Sequence, residues 1–156
     1  MVKPKKVLFV CTGNSCRSVM AEGLLKKYAK EHGMDLEITS AGLSAVDGIP
    51  ATYETVFVMG DAGVNVSEHR SRRLTDDMIK EADVILTMEH IHREEIVKRV
   101  PEAASKTFIL KKFGIDEKTA AFQDWDIPDP IGRPIKDYQF CRDIIKHQID
   151  RIGGLL

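Results

Sequence analysis

The 156-residue chain has room for one sizeable core and hardly for two, so residues 1–156 are expected to form a single domain. Its 43% apolar and 30% charged residues, with a formal net charge of -1, exclude disordered and collagenous classes and speak against a nucleic-acid partner held by bulk charge. No apolar run approaches the roughly 18 residues that span a bilayer, and Met1-Val2-Lys3-Pro4-Lys5-Lys6 leads into too short an apolar stretch for a secretory signal, so a cytoplasmic protein without a membrane partner is expected.

Val7-Leu8-Phe9-Val10 is an uninterrupted run of β-branched and aromatic residues, as in a strand buried on both faces, and it ends at Cys11. From Ser18 to about His32 the apolar residues Ala21, Leu24, Leu25 and Tyr28 recur at helical spacing while Glu22, Lys26, Lys27 and Lys30 point elsewhere, and Gly33 stops the helix. Leu36 to Ser40 reads as a second strand, Pro50 as the start of a helix running to Ala62-Gly63, and Thr75 to Ala82 as a short helix before a third strand, Asp83 to Met88. A helix from Ile91 to Val100 is cut by Pro101, and Lys106 to Leu110 supplies a fourth strand. The last helix begins at Pro134, carries Tyr138, Cys141, Ile145, Ile149 and Ile152 on one face, and ends at Gly153-Gly154. Strands alternating with helices imply a parallel α/β sandwich, in which ligands bind beyond the carboxyl ends of the strands.

That rule directs attention to Cys11-Thr12-Gly13-Asn14-Ser15-Cys16-Arg17-Ser18, which joins the first strand to a helix N-terminus. Backbone N–H groups there converge on an anion that the helix dipole also favours. Gly13 and Asn14 are types that tolerate left-handed backbone angles, and Arg17 adds a planar fork of donors for phosphoryl oxygens. The same positive field favours the thiolate of Cys11, to which Ser18 can donate a hydrogen bond. A cysteine ending a core strand is by itself unremarkable; the whole octet carries the anion reading. It is neither a Gly-x-x-x-x-Gly-Lys-Ser/Thr nucleotide loop nor a Gly-x-Gly-x-x-Gly fingerprint, and Cys11 and Cys16 are wrongly spaced for Cys-x-x-Cys zinc or redox chemistry. No metal or other cofactor is expected.

At these residues the chain resembles the low-molecular-weight protein tyrosine phosphatase family, whose signature is Cys-x5-Arg-Ser/Thr. The likeness continues through Met20-Ala21-Glu22, Ser40-Ala41-Gly42, His69-Arg70-Ser71-Arg72, the segment from Ala82 to Met88, and Asp129-Pro130 ahead of the last helix. It implies a three-layer sandwich with a four-stranded parallel sheet, and a cysteine-dependent phosphomonoesterase acting on phosphotyrosyl protein, or a small phosphomonoester, through a phosphocysteine that releases inorganic phosphate. Residue by residue it implies Cys11 as nucleophile, Arg17 as phosphate clamp, Ser18 as thiolate stabiliser and Asp129 as general acid. Thr12, Gly13, Asn14, Ser15 and Cys16 would complete the phosphate cradle, with Ser40 and His69, like Asn14, supporting the loop by hydrogen bonds. One carboxyl group can protonate the departing oxygen and later take a proton from water. Asp129-Pro130 alone reads as a turn, and Asp124 and Asp126 compete for the acid role; the resemblance selects Asp129. The Cys11-x4-Cys16 spacing across a tight loop adds the expectation of a reversible disulfide that shields the nucleophile from over-oxidation.

Departures from the pattern leave other substrates open. Ser15 stands where phosphotyrosine enzymes usually have a branched apolar residue, and Ile131 where Tyr or Phe lines the slot, so aromatic stacking on a phenyl ring is reduced. Val19 replaces a common proline and changes only the first helical turn. A small polar residue at Ser15 is similar to bacterial protein-arginine phosphatases. The loop, with Asp124-Trp125 before Asp129-Pro130, is also similar to thioredoxin-coupled arsenate reductases, but Thr87-Met88-Glu89-His90-Ile91-His92 lacks the further cysteines those enzymes use. A non-catalytic phosphate-binding module is the remaining alternative, opposed by the intact Cys11, Arg17 and Asp129. His90 and His92 read as solvated rather than metal-binding, Arg70, Arg72 and Arg73 as a solvated loop, and Cys141 as an inert core thiol.

Overall fold

In the computed structural model, which describes residues 3–121 and 123–156, strand β1 (Lys5–Cys11) occupies an interior position of a four-stranded sheet. Met1 and Val2, part of the N-terminal stretch read as no secretory signal, lie outside the described residues. On one side β1 pairs in parallel with β2 (Leu36–Gly42), in a register that sets Cys11 beside Gly42. On the other it pairs in parallel with β3 (Val84–Thr87), which pairs in turn with β4 (Thr107–Ile109), giving the order β2-β1-β3-β4. The parallel α/β architecture is the one the alternation of elements implies.

The period of two along β1 divides the core. Val7, Phe9 and Cys11 face the layer of α1 (Arg17–Glu31), α2 (Tyr53–Asp61) and α5 (Ile135–Ile152). Leu8 and Val10 face that of α3 (Asp76–Glu81) and α4 (His90–Arg99), where they meet Ile79 and Ile96. Helix α5 buries Tyr138, Cys141, Ile145, Ile149 and Ile152, the stripe read from the sequence. Among the described residues no helix is long and apolar enough to cross a membrane.

Two expectations need correction. The second helix does not start at Pro50: Thr52 is its N-cap, in an extended conformation with its side chain accepting from the Thr55 N–H. The backbone N–H of Thr52 is spent on Ser15 O, 3.2 Å away, so residues 50–52 lie along the Cys11–Ser18 loop instead of coiling. Nor are both histidines of Glu89-His90-Ile91-His92 solvated. His92 is fully buried and closes a capping box with Glu89 at the start of α4, whereas His90 is exposed.

Candidate active site

The loop after β1 is built around Asn14, fully buried and, among the described residues, the one non-glycine at positive φ, 53°. Its side chain offsets the cost of that conformation by hydrogen bonding in all directions. Nδ2 donates to Ser18 Oγ at 2.8 Å and to Ser40 Oγ at 2.9 Å, while Oδ1 accepts from the Arg72 N–H at 2.9 Å. Its carbonyl accepts from His69 Nε2 at 2.8 Å. The Ser40 hydroxyl in turn donates to Glu22 Oε1, 2.7 Å away, so β2, α1 and the 69–72 segment together hold the loop. Glu22 is therefore part of this support and does not simply face solvent.

These bonds orient the chemistry at Cys11. Ser18 Oγ accepts from Asn14, so its proton is directed at Cys11 Sγ, 2.9 Å away. The Asn14 N–H reaches the same sulfur at 3.2 Å, giving a thiolate two donors. Gly42, paired with Cys11, admits the loop at close range: a Cβ there would lie 2.6 Å from Thr12 O and 2.8 Å from Asn14 N. Such a contact is with backbone and has no flexible side chain to relieve it.

Arg17 is buried to 2% exposure, yet only its Nη1 donors are taken up within the protein. Nη1 gives one proton to Glu89 Oε2 and one to Ile127 O, each at 2.7 Å, which leaves the Nε–Nη2 edge as a two-pronged donor for an anion. Burial opposes the charge, but the Glu89 hydrogen bond and the charges of Cys11, Glu89 and Asp129 hold the Arg17 pKa above its ordinary value. Nη2 lies 3.7 Å from Asp129 Oδ2. Asp129 Oδ1 accepts from the Ile131 N–H at 3.1 Å, so Oδ2, on the Arg17 side, is the oxygen free to carry a proton. Asp126 is engaged by His90, and Asp124 Oδ1 accepts from the Asp126 N–H. Of the three candidate acids, Asp129 is the one whose carboxylate faces Arg17.

Around this centre, Thr12 Oγ1 lies 2.9 Å from His92 Nε2. Cys16 is buried, its sulfur 3.5 Å from Thr52 Oγ1 and 3.7 Å from Ser15 Oγ. The Tyr138 phenol beside it is pushed up to about 12, by burial first and by Cys16 second. Cys141 is likewise pushed up to about 12 by burial, the condition of an inert thiol. The structure thus brings Cys11, Asn14, Arg17, Ser18, Ser40, His69 and Asp129 into one network, and adds Glu22, Gly42, Glu89 and His92, none of which the sequence reading gives a role in the site.

Comparison with known proteins agrees with this geometry. Residues 6–153 match the family described as low molecular weight phosphotyrosine protein phosphatase. The chain is similar to a protein-arginine-phosphatase of Geobacillus stearothermophilus, with 40% identity covering 98% of this chain and 97% of the relative. It is also similar to a probable low molecular weight protein-tyrosine-phosphatase of Ralstonia nicotianae, 32% identical over 94% of this chain and 92% of that one. Among solved structures, the low molecular weight protein tyrosine phosphatase from T. tengcongensis superposes with a TM-score of 0.88 at 37% identity, covering 97% of this chain and 99% of the other.

Proposed function

Because this chain belongs to the low molecular weight phosphotyrosine protein phosphatase family, we propose that it removes phosphoryl groups from protein side chains by two in-line displacements on Cys11. In the first, the sulfur bonds to phosphorus as the bond to the leaving atom breaks, and Asp129 Oδ2 gives that atom its proton. In the second, Asp129 takes a proton from water, whose oxygen displaces the sulfur and releases inorganic phosphate. The loop N–H groups and the free edge of Arg17 neutralise the phosphoryl oxygens, and Ser18 stabilises the departing thiolate. The observation that carries the reading is the convergence on one sulfur of the Ser18 hydroxyl at 2.9 Å and the Asn14 N–H at 3.2 Å. A cytoplasmic setting belongs to the same reading, supported by the free thiols of Cys11, Cys16 and Cys141.

Phosphotyrosyl protein is the substrate that family membership supports. Phosphoarginyl protein is a second reading, favoured by Ser15, whose hydroxyl stands at the loop where a phenyl ring would want an apolar wall. A phosphorylated guanidine presents planar N–H donors that seek acceptors such as Ser15 Oγ and the Asp129 carboxylate, and a 40% identical relative is named a protein-arginine-phosphatase. The test is hydrolysis of p-nitrophenyl phosphate in EDTA by wild type, Cys11→Ser and Asp129→Ala, followed by kcat/KM on phosphotyrosine and phosphoarginine peptides. Turnover retained by Cys11→Ser would sink the mechanism, and the peptide ratio decides the substrate.

A further inference from the structure

We propose that His90 and Asp126 are positioning residues, a clasp at the N-terminus of α4 that holds the segment bearing Asp129 over the phosphate loop. The inference rests on the reading of Asp129 as the general acid. From Gln123 to Pro134 the chain contains neither helix nor strand, so its placement depends on discrete anchors. One is Ile127, buried, with its N–H on Met88 O at 2.9 Å and its carbonyl on Arg17. A second is Lys111, whose Nζ donates to Asp124 O at 2.9 Å, and a third is made by the side chains of Asp126 and His90. Asp126 Oδ1 accepts the His90 backbone N–H at 2.8 Å, and Oδ2 accepts from His90 Nδ1 at 2.7 Å, so one histidine occupies both carboxylate oxygens.

The location favours this contact. His90 is the first residue of α4, where a backbone N–H has no partner within the helix and the dipole favours a carboxylate. The groups facing His90 are Asp126 from the loop, Glu89 before it and Glu94 one turn on, with His92 on the same helix. The Asp126 hydrogen bond is the main cause of the upward shift of the His90 pKa, which favours the charged, tighter form of the pair. Asp126 and Ile127 together fix the path of the chain into Asp129. A general acid works only within hydrogen-bond reach of the atom it protonates, so with only Ile127 and the Lys111 contact to Asp124 O left, the segment can pivot between them and take Oδ2 away from the leaving atom.

The experiment compares kcat/KM for p-nitrophenyl phosphate and phenyl phosphate, a good and a poor leaving group, in wild type, His90→Ala, His90→Asn, Asp126→Ala and Asp129→Ala. Trp125, the sole tryptophan and the neighbour of Asp126, reports loop exposure through acrylamide quenching. His90→Ala and Asp126→Ala are expected to lose about tenfold on phenyl phosphate but under about threefold on p-nitrophenyl phosphate, with higher Trp125 quenching. His90→Asn, whose amide can still donate to Asp126, restores both readouts. Equal losses on the two substrates, or unchanged quenching, overturn the clasp. If Asp129→Ala itself shows no dependence on the leaving group, the general-acid reading fails, and quenching in His90→Ala and Asp126→Ala still decides whether the clasp holds the segment.

Discussion

The hydroxyl of Thr12 and Nε2 of His92 stand 2.9 Å apart, and the direction of their hydrogen bond is dictated from the other side of the ring. The Glu89 backbone N–H donates to His92 Nδ1 at 3.0 Å, so Nδ1 is unprotonated and Nε2 carries the hydrogen given to Thr12. Glu89 also holds Arg17, which places the first turn of α4 behind both ends of the phosphate loop. His92 therefore has to be neutral: a second proton on Nδ1 would confront the Glu89 N–H.

This neutrality makes stability depend on pH. Burial, and then the charge of Arg17, push His92 down to about 4, whereas in the unfolded chain it would protonate near 6.5. Between those values the unfolded state binds more protons, so stability falls as pH falls from 6.5 to about 4. The loss amounts to about 3 kcal/mol by linkage. Thermal unfolding of wild type and His92→Asn across this range should show a steeper acid loss in wild type; parallel curves would remove His92 as the cause.

Gly42→Ala puts a Cβ against the Thr12 carbonyl and the Asn14 N–H. The loop has to move away from its β2 neighbour, disturbing the donors aimed at Cys11. The expected cost is about 1–3 kcal/mol of stability from overpacking and on the order of 10²-fold in kcat from displaced oxyanion donors. A variant as active as wild type, with an unchanged melting temperature, would show that the loop accommodates the methyl group.

The sequence discloses what is local and conceals what is brought together by folding. The stripe on α5 is visible because its residues recur three or four apart, and Cys11 with Arg17 and Ser18 is visible because one loop contains all three. Glu89 and His92 are 72 and 80 residues from the loop partners they hold, with nothing in their own neighbourhood to mark them. Gly42 lies beyond the second strand as read from the sequence, and only the parallel register sets it beside Cys11. Pro50 suggested a helix start by a sound local rule, which lost to the Thr52 cap and the contact with Ser15.

Arg17→Lys keeps the charge and loses the geometry. The guanidinium serves Glu89, Ile127 O and the space beside Asp129 at once, which a single ammonium cannot do. The variant is expected to lose on the order of 10²–10³ in kcat/KM for p-nitrophenyl phosphate, the range for losing a transition-state donor. A loss below tenfold would mean that charge alone suffices.

Peroxide should convert Cys11 to a disulfide with Cys16 and not to a sulfonic acid. The Cys11 thiolate attacks peroxide to give a sulfenic acid and hydroxide, and a second thiol then displaces water from that sulfur. Cys16 is on the same loop, whereas Cys141, held near 12 by burial, stays protonated and does not compete. Wild type and Cys141→Ser are therefore expected to regain activity with dithiothreitol, while Cys16→Ser is lost irreversibly as its nucleophile over-oxidises. Peptide mapping that found Cys11 sulfonic acid in peroxide-treated wild type, without a Cys11–Cys16 link, would contradict this protection.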